Sequence, residues 1–260
     1  MLIDTVRCIG CRGCQVACKM WNECKAEKTN FFGGPGYQNP ADLSPDTWTL
    51  ITYNEVLVGG RFDWVFGKKQ CMHCLEPACA AACPVAALEK TESGPVVYHK
   101  GRCIGCRYCM LACPFEIPRF DYESANAYIT KCTMCADRVE VGGVPACSKV
   151  CPTGAVAFGV RSAMIDEARR RIAANPTGYA HKIYGLEEAG GTCVLHISNV
   201  PFEKLGYRTD IPAESLDKYT RYAMQSIPIV VLGLAVVLGG LYKLRTRTVG
   251  VETKTVRDSE

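Results

Sequence analysis

Residues 103–114 read Cys103-Ile-Gly-Cys106-Arg-Tyr-Cys109-Met-Leu-Ala-Cys113-Pro114, four cysteines spaced by two, two and three residues and closed by a proline. The run recurs as Cys8-x2-Cys11-x2-Cys14-x3-Cys18, with Lys19 where the proline would stand. Two looser copies complete the series. They are Cys71, Cys74, Cys79 and Cys83 before Pro84, and Cys132, Cys135, Cys147 and Cys151 before Pro152. The extra residues, two in one copy and nine in the other, all lie ahead of the third cysteine. Sixteen of the 18 cysteines fall into these four sets. Cysteines this close together share a metal more readily than they pair with one another, so a disulfide scaffold is not expected. Zinc sites use two C-x2-C pairs or histidines, whereas only His73 of four histidines lies inside a set.

The spacing suits an iron–sulfur cubane. Two intervening residues let successive thiolates of one tight loop reach neighbouring iron corners. Gly10, Gly13 and Gly105 permit the close backbone approach that such a loop needs. The fourth cysteine is expected where a helix starts, pointing away from its own loop. In two-cluster ferredoxins that residue ligates the partner cluster. Sets two and three are separated by 19 residues and sets three and four by 18, so spacing leaves open which sets are partners.

The rest of the composition follows from the cysteines. Hydrophobic residues make up 48% of the 260 and charged residues 22%, enough for a packed core. The formal charge of +4 is too small for a nucleic-acid binder. Four clusters with their thiolates would add about −8, so the basic excess reads as counter-charge. Arg7, Arg12, Lys19, Arg102, Arg107 and Lys131 lie beside cysteines and are expected to stabilise reduced clusters. His73 is expected to be a hydrogen-bond donor or packed residue, and Cys24 and Cys193 structural cysteines outside the sets. There is no nucleophile–base constellation, no dinucleotide or P-loop glycine motif, and no convergent carboxylate pair.

Between sets one and two lies an insertion. It opens with glycine- and proline-rich residues 31–37 and turns at Asn39-Pro40 and Ser44-Pro45, then a β-branched and aromatic strand over 47–58. Short strands are expected at 96–98, 156–160 and 193–197, the last at a sheet edge, and a small hairpin at 139–144 turning on Gly142-Gly143. Residues 162–174 read as a helix capped by Ser162. Residues 222–242 carry no charge and are flanked by Arg221 and Lys243. At 1.5 Å per residue they span roughly 30 Å, one hydrocarbon core. The larger basic cluster follows the span, favouring a cytoplasmic C-terminus with residues 1–220 outside. The first residues carry no secretory signal.

These features resemble a known family. The order of cysteine sets is that of the four-cluster ferredoxin subunits of molybdenum and tungsten oxidoreductases. Within them the chain looks like the β (iron–sulfur) subunit of membrane-bound, quinone-linked formate dehydrogenase. The resemblance is carried by Cys8-Ile-Gly-Cys-Arg-Gly-Cys-Gln-Val-Ala-Cys18, Asn39-Pro-Ala-Asp-Leu-Ser44, Cys71-Met-His-Cys74 and Cys103-Ile-Gly-Cys-Arg-Tyr-Cys109. Cys113-Pro-Phe-Glu-Ile-Pro-Arg119, Lys131-Cys-Thr-Met-Cys-Ala-Asp-Arg138, Cys151-Pro-Thr-Gly-Ala155 and the C-terminal span add to it.

The resemblance implies an α+β fold of two ferredoxin-like dicluster halves with nested cysteine exchange, plus one C-terminal transmembrane helix. One half would comprise residues 1–70, with the insertion 19–70, and residues 115–160. The other would comprise 71–114, followed by a connecting region 161–221, the span 222–242 and the tail 243–260. Four 4Fe-4S clusters would be held by Cys8, Cys11, Cys14 with Cys151; Cys71, Cys74, Cys79 with Cys113; Cys103, Cys106, Cys109 with Cys83; and Cys132, Cys135, Cys147 with Cys18. The implied role is non-catalytic electron transfer from a molybdopterin or tungstopterin catalytic subunit to a haem b membrane subunit and quinone. The implied place is the inner membrane, single-pass in lipid, with the cluster region extracytoplasmic after export alongside a twin-arginine-bearing partner. The equivalent subunit of a hydrogenase or of a polysulfide- or tetrathionate-type reductase is the alternative.

Overall fold

The computed structural model describes residues 1–29, 37–58, 60–123 and 128–257. The glycine-rich opening of the insertion, apart from Tyr37, lies outside the described residues. The chain forms two units, Met1–Lys218 and Tyr219–Glu260.

In the first unit, β1 (Leu2–Asp4) leads into the first cysteine loop and α1 (Gly13–Trp21) leaves it. The insertion then forms a long hairpin, β2 (Thr49–Val58) against β3 (Arg61–Gln70). Sequence reading found β2 but missed β3. The signal was present: Val58 pairs with Arg61 across two glycine positions, the shortest hairpin connection. The Ser44 turn forms as expected, its Oγ accepting from the backbone N of Asp46 and Thr47 at 3.1 and 2.9 Å.

Sets two and three are built on α2 (Ala78–Ala81), β4 (Leu88–Lys90), β5 (Val96–Tyr98) and α3 (Tyr108–Ala112). The short ladder β6 (Arg119–Phe120) and β7 (Ile129–Thr130) leads to set four, carried by α4 (Ala136–Glu140) and α5 (Ala146–Lys149). The hairpin expected at 139–144 is a helix end instead. Gly143 N donates to Arg138 O at 2.8 Å and Gly142 N to Val139 O at 3.0 Å, with Gly142 at φ +78. Two glycines here stop a helix rather than reverse a strand, because these two bonds satisfy its last carbonyls.

After set four come β8 (Val156–Ala157), shorter than expected, and α6 (Arg161–Ala174). Val160, not Ser162, occupies the cap position of α6, and no side chain caps it. β9 (Leu195–Ile197) pairs in parallel with β1, giving the sheet order β8-β1-β9. β9 is thus at an edge, and the central β1 escaped the sequence reading. Alternation along β1 serves two cores: Leu2 packs with Ala168, Leu195 and Ile197, while Ile3 packs among the cysteines with Leu50, Ile51 and Val156. Each such side chain contributes roughly 1.5–3 kcal/mol by leaving water. A third core joins Leu88, Val96 and Ile129 to Cys79 and Cys109.

Asp4 at the end of β1 is fully buried. Its carboxylate accepts from Arg171 Nη1 of α6 and from the Tyr179 hydroxyl, both at 2.9 Å, and from the backbone N of Val6 at 3.0 Å. The second unit is carried by α7 (Asp217–Arg257), whose first two residues belong to the first unit; from Asp217 to Arg247 the helix is long and apolar enough to cross a membrane and contains Pro228. Its apolar side chains, Ile229, Leu232, Val236 and Leu238 among them, are exposed.

Candidate metal centres

One local frame is built four times. The third cysteine of each set, Cys14, Cys79, Cys109 or Cys147, is the second residue of its helix, α1, α2, α3 or α5. The fourth cysteine follows four residues later, within α1 at Cys18 and beyond the helix end in the other three sets. It therefore does not start a helix, as the spacing had suggested; it stands about one turn past the third cysteine.

The loops share a second feature. The residue before the second cysteine is left-handed in all four: Gly10 at φ +66, His73 at +49, Gly105 at +69 and Met134 at +58. This turn aims a backbone N–H at the sulfur of the first cysteine, at 3.4 Å for Gly105 to Cys103 and 3.3 Å for Met134 to Cys132. Gly10 N–H likewise lowers the Cys8 thiol, against a larger upward push from burial. Glycine adopts the turn freely, whereas a residue with a Cβ gives up about 1–2 kcal/mol. His73 and Met134 are held in it by their surroundings. His73 is fully buried and its Nδ1 accepts from Val96 N at 2.8 Å; Met134 is buried in the main core. His73 thus accepts rather than donates through Nδ1, and burial keeps it neutral by lowering its pKa well below the ordinary value.

Strand pairing brings distant sets together. β1 runs antiparallel to β8, Ile3 opposite Val156, which sets the first loop beside the end of set four. β4 pairs with β5, Leu88 opposite Tyr98, joining the end of set two to the start of set three. The helices follow, α1 packing on α5 and α2 on α3. Cys8, Cys11, Cys14 and Cys151 line one small cavity. Cys18, Cys132, Cys135 and Cys147 line a second. Burial, then Cys71, Cys113 and Cys79, push the Cys74 thiol well above its ordinary value. Burial, then Cys106, Cys83 and Cys103, push Cys109 up to about 12.

The donor set fits iron. Burial raises Cys14 to about 11 and Cys132 to about 12, with neighbouring cysteines adding to the rise. Bare thiolates in these nests lack solvent and repel each other; an iron core removes both penalties and takes thiolate as its natural ligand.

The flanking bases divide. Arg12 donates to the Tyr53 hydroxyl at 2.9 Å and lies over its ring, and Lys19 pairs with Glu27 at 2.9 Å. Arg7 pairs with Asp4 at 3.6 Å, Arg102 with Glu89 at 3.9 Å, and Arg107 lies over Phe120. Of the six, Lys131 alone is buried, its Nζ donating to the carbonyls of Val96 and Cys132. Sequence reading missed a seventh, Lys68, which is 2% exposed on β3. Burial opposes its charge, yet Cys147, Cys14, Cys132 and Cys18 outweigh burial and hold its pKa above the ordinary lysine value. Strand parity sets Lys68 on the face of Phe62, Trp64 and Phe66, but nothing local says that this face meets the cysteines. Cys193 is buried with Lys90 Nζ 3.3 Å from its sulfur, and Cys24 is half-buried.

Comparison with known proteins supplies the family. Two family profiles, each described as a 4Fe-4S dicluster domain, match residues 7–87 and 62–161. The nitrate-inducible formate dehydrogenase iron–sulfur subunit of Escherichia coli is 45% identical over 199 residues, covering 75% of this chain and 66% of that protein. The formate dehydrogenase iron–sulfur subunit of Haemophilus influenzae is 43% identical, covering 75% and 63%. The chain thus spans about two thirds of the length of these relatives. The hydrogenase-2 operon protein HybA of Escherichia coli O157:H7 is 35% identical over 276 residues, covering 92% of this chain and 83% of that one. Sixteen cysteines in four nests, two dicluster matches and these relatives together mean that the chain, with four 4Fe-4S clusters as its cofactors, belongs to the family of formate dehydrogenase iron–sulfur subunits.

Proposed function

We propose that this chain conducts electrons within a membrane-bound formate dehydrogenase, from a molybdopterin or tungstopterin catalytic subunit to a haem b subunit that reduces quinone. The ligands of the four clusters are Cys8, Cys11, Cys14 and Cys151; Cys18, Cys132, Cys135 and Cys147; Cys71, Cys74, Cys79 and Cys113; and Cys83, Cys103, Cys106 and Cys109. Each cluster supplies a one-electron relay when bound. The two dicluster halves are residues 1–70 with 115–160, and residues 71–114.

The observation that carries this reading is the linear order of the nests. Cys79 packs in one core with Cys103 and Cys109, Cys71 packs in the main core with Cys132, and α1, which carries Cys14, packs on α5, which carries Cys147. The order is therefore the Cys103 nest, the Cys71 nest, the Cys132 nest and the Cys8 nest. The cysteines of the Cys132 nest are all buried, whereas Cys11 at one end is exposed and Cys103 and Cys106 at the other are half-exposed. Both ends carry uncovered apolar side chains, Ile9 and Val16 at one, Ile104, Tyr108 and Leu111 at the other. Apolar residues around a redox centre are the surface on which partner subunits dock.

α7 serves as a single membrane anchor in the inner membrane. The basic residues Lys243, Arg245 and Arg247 after its apolar stretch favour a cytoplasmic C-terminus and an extracytoplasmic cluster region.

The test is to purify the full chain with its native membrane complex and follow cluster reduction by EPR. Formate is expected to reduce the clusters, and Cys151→Ser is expected to alter the signal of the nest holding Cys8, Cys11 and Cys14. Reduction by hydrogen but not by formate selects the second reading, a hydrogenase subunit, which the larger mutual coverage with HybA favours. A Cys151→Ser chain that instead loses the Cys132-nest signal refutes the ligand sets.

A further inference from the structure

The inward face of the β2–β3 hairpin underlies two nests at once. Ile51 is paired with Lys68, and both line the cavity of Cys8, Cys11, Cys14 and Cys151. One step along the same face, Thr49 is paired with Gln70, and both line the cavity of Cys18, Cys132, Cys135 and Cys147. The Lys68 ammonium bridges the two steps: its Nζ donates to Thr49 Oγ1 and to Gln70 Oε1. Lys68 is thus a wall of the first cavity, hydrogen-bonded to the wall of the second.

Those two acceptors are neutral. A buried ammonium is stable only beside an anion, because neither an amide nor a hydroxyl oxygen offsets the loss of its hydration. The anions within reach are the thiolate-ligated cores on either side. Backbone position is fixed as well, since Tyr207, 139 residues further along the chain, accepts from Lys68 N at 3.0 Å and donates to Lys68 O at 3.1 Å. The backbone that carries the charge is therefore held in place, and the side chain is 2% exposed.

We propose that Lys68 is a shared counter-charge, a positioning residue that raises the reduction potentials of the two clusters at the Cys8 and Cys132 nests and leaves the other two unmoved. Reduction adds one negative charge to a cluster, and a fixed cation in a poorly solvated site stabilises that added charge. Placing one cation between two clusters raises both together, so electrons pass between them with little difference in potential. The inference rests on the reading that each nest holds one cluster, which iron content and EPR spin count of the unmutated chain test separately.

The experiment is an EPR-monitored redox titration of the full chain in its complex, comparing Lys68→Met, Lys68→Arg and Gln70→Glu. Lys68→Met removes the charge at nearly constant volume. It is expected to weaken reduction of two clusters at least tenfold, about 59 mV downward for a one-electron couple, with the other two unchanged. Lys68→Arg keeps the charge and is expected to keep the potentials. Gln70→Glu sets a carboxylate against Nζ and is expected to shift the same two clusters downward, which serves if Lys68→Met fails to assemble. No shift in an assembled Lys68→Met or Gln70→Glu, or an equal shift of all four clusters, overturns the proposal. Loss of clusters from all three variants assigns Lys68 to packing alone and overturns it too.

Discussion

Gly10→Ala probes the coupling between the first cysteine loop and the hairpin beneath it. Gly10 has φ +66, and a Cβ built there meets Phe66 Cδ1 and Cε1 at 2.8 Å and Cζ at 3.1 Å. The Tyr53 hydroxyl donates to Gly10 O from the same hairpin face, Tyr53 being paired with Phe66, so the loop has no easy escape. The left-handed conformation costs alanine about 1–2 kcal/mol. Overpacking against the ring adds about 1–3 kcal/mol. Together the substitution destabilises by about 2–5 kcal/mol, which in a unit of this size lowers the melting temperature by at least about 4 °C. Phe66→Leu removes the ring the new methyl strikes, so in that background only the dihedral cost of about 1–2 kcal/mol remains. The assay is melting of the cluster-loaded chain at one scan rate, with iron counted per chain, for both single variants and the double variant. Gly10→Ala is expected to melt lower and lose iron first from the nest of Cys8, Cys11, Cys14 and Cys151. The reasoning is refuted if Gly10→Ala melts within about 1 °C of the parent, or if its deficit is the same with Leu at position 66.

Two further outcomes are expected. Arg171→Met removes the nearer, buried cation of the Asp4 carboxylate, leaving the exposed Arg7 at 3.6 Å, and costs about 3 kcal/mol, read as a lower melting temperature that Asp4→Asn in the same chain partly restores. His196 is fully buried, and burial followed by the Lys68 charge lowers its pKa to about 3. Between that value and the ordinary 6.5 the unfolded chain takes up a proton that the folded chain refuses. Stability therefore falls as pH drops below 6.5, by about 1.4 kcal/mol per unit from this residue, and His196→Gln flattens the slope of melting temperature against pH.

Much of the site was legible from local spacing. Two residues between thiols and three before the fourth are constraints of a single loop, so they survive in sequence as a repeat. The recurring left-handed turn was half legible, because glycine marks it at Gly10 and Gly105 but His73 and Met134 adopt it under burial. β3 had a readable signal in the shortest hairpin turn. The Gly142-Gly143 pair was ambiguous, since the same φ > 0 requirement serves a hairpin turn and a helix end. β1, three residues long, carries too little periodicity to be seen.

The sequence by itself determined the chemistry: sixteen thiols in four loop-sized sets, an iron–sulfur cofactor, and an uncharged stretch long enough to cross a membrane. The tertiary structure decided which sets meet, because the meeting depends on strands far apart in the chain, β1 with β8 and β4 with β5. It also decided which lysine stands among the cysteines. Parity along β3 puts Lys68 and Lys69 on opposite faces, and only the packing of the hairpin on the cysteine loops turns the first face in toward two nests and leaves the second toward Asp42.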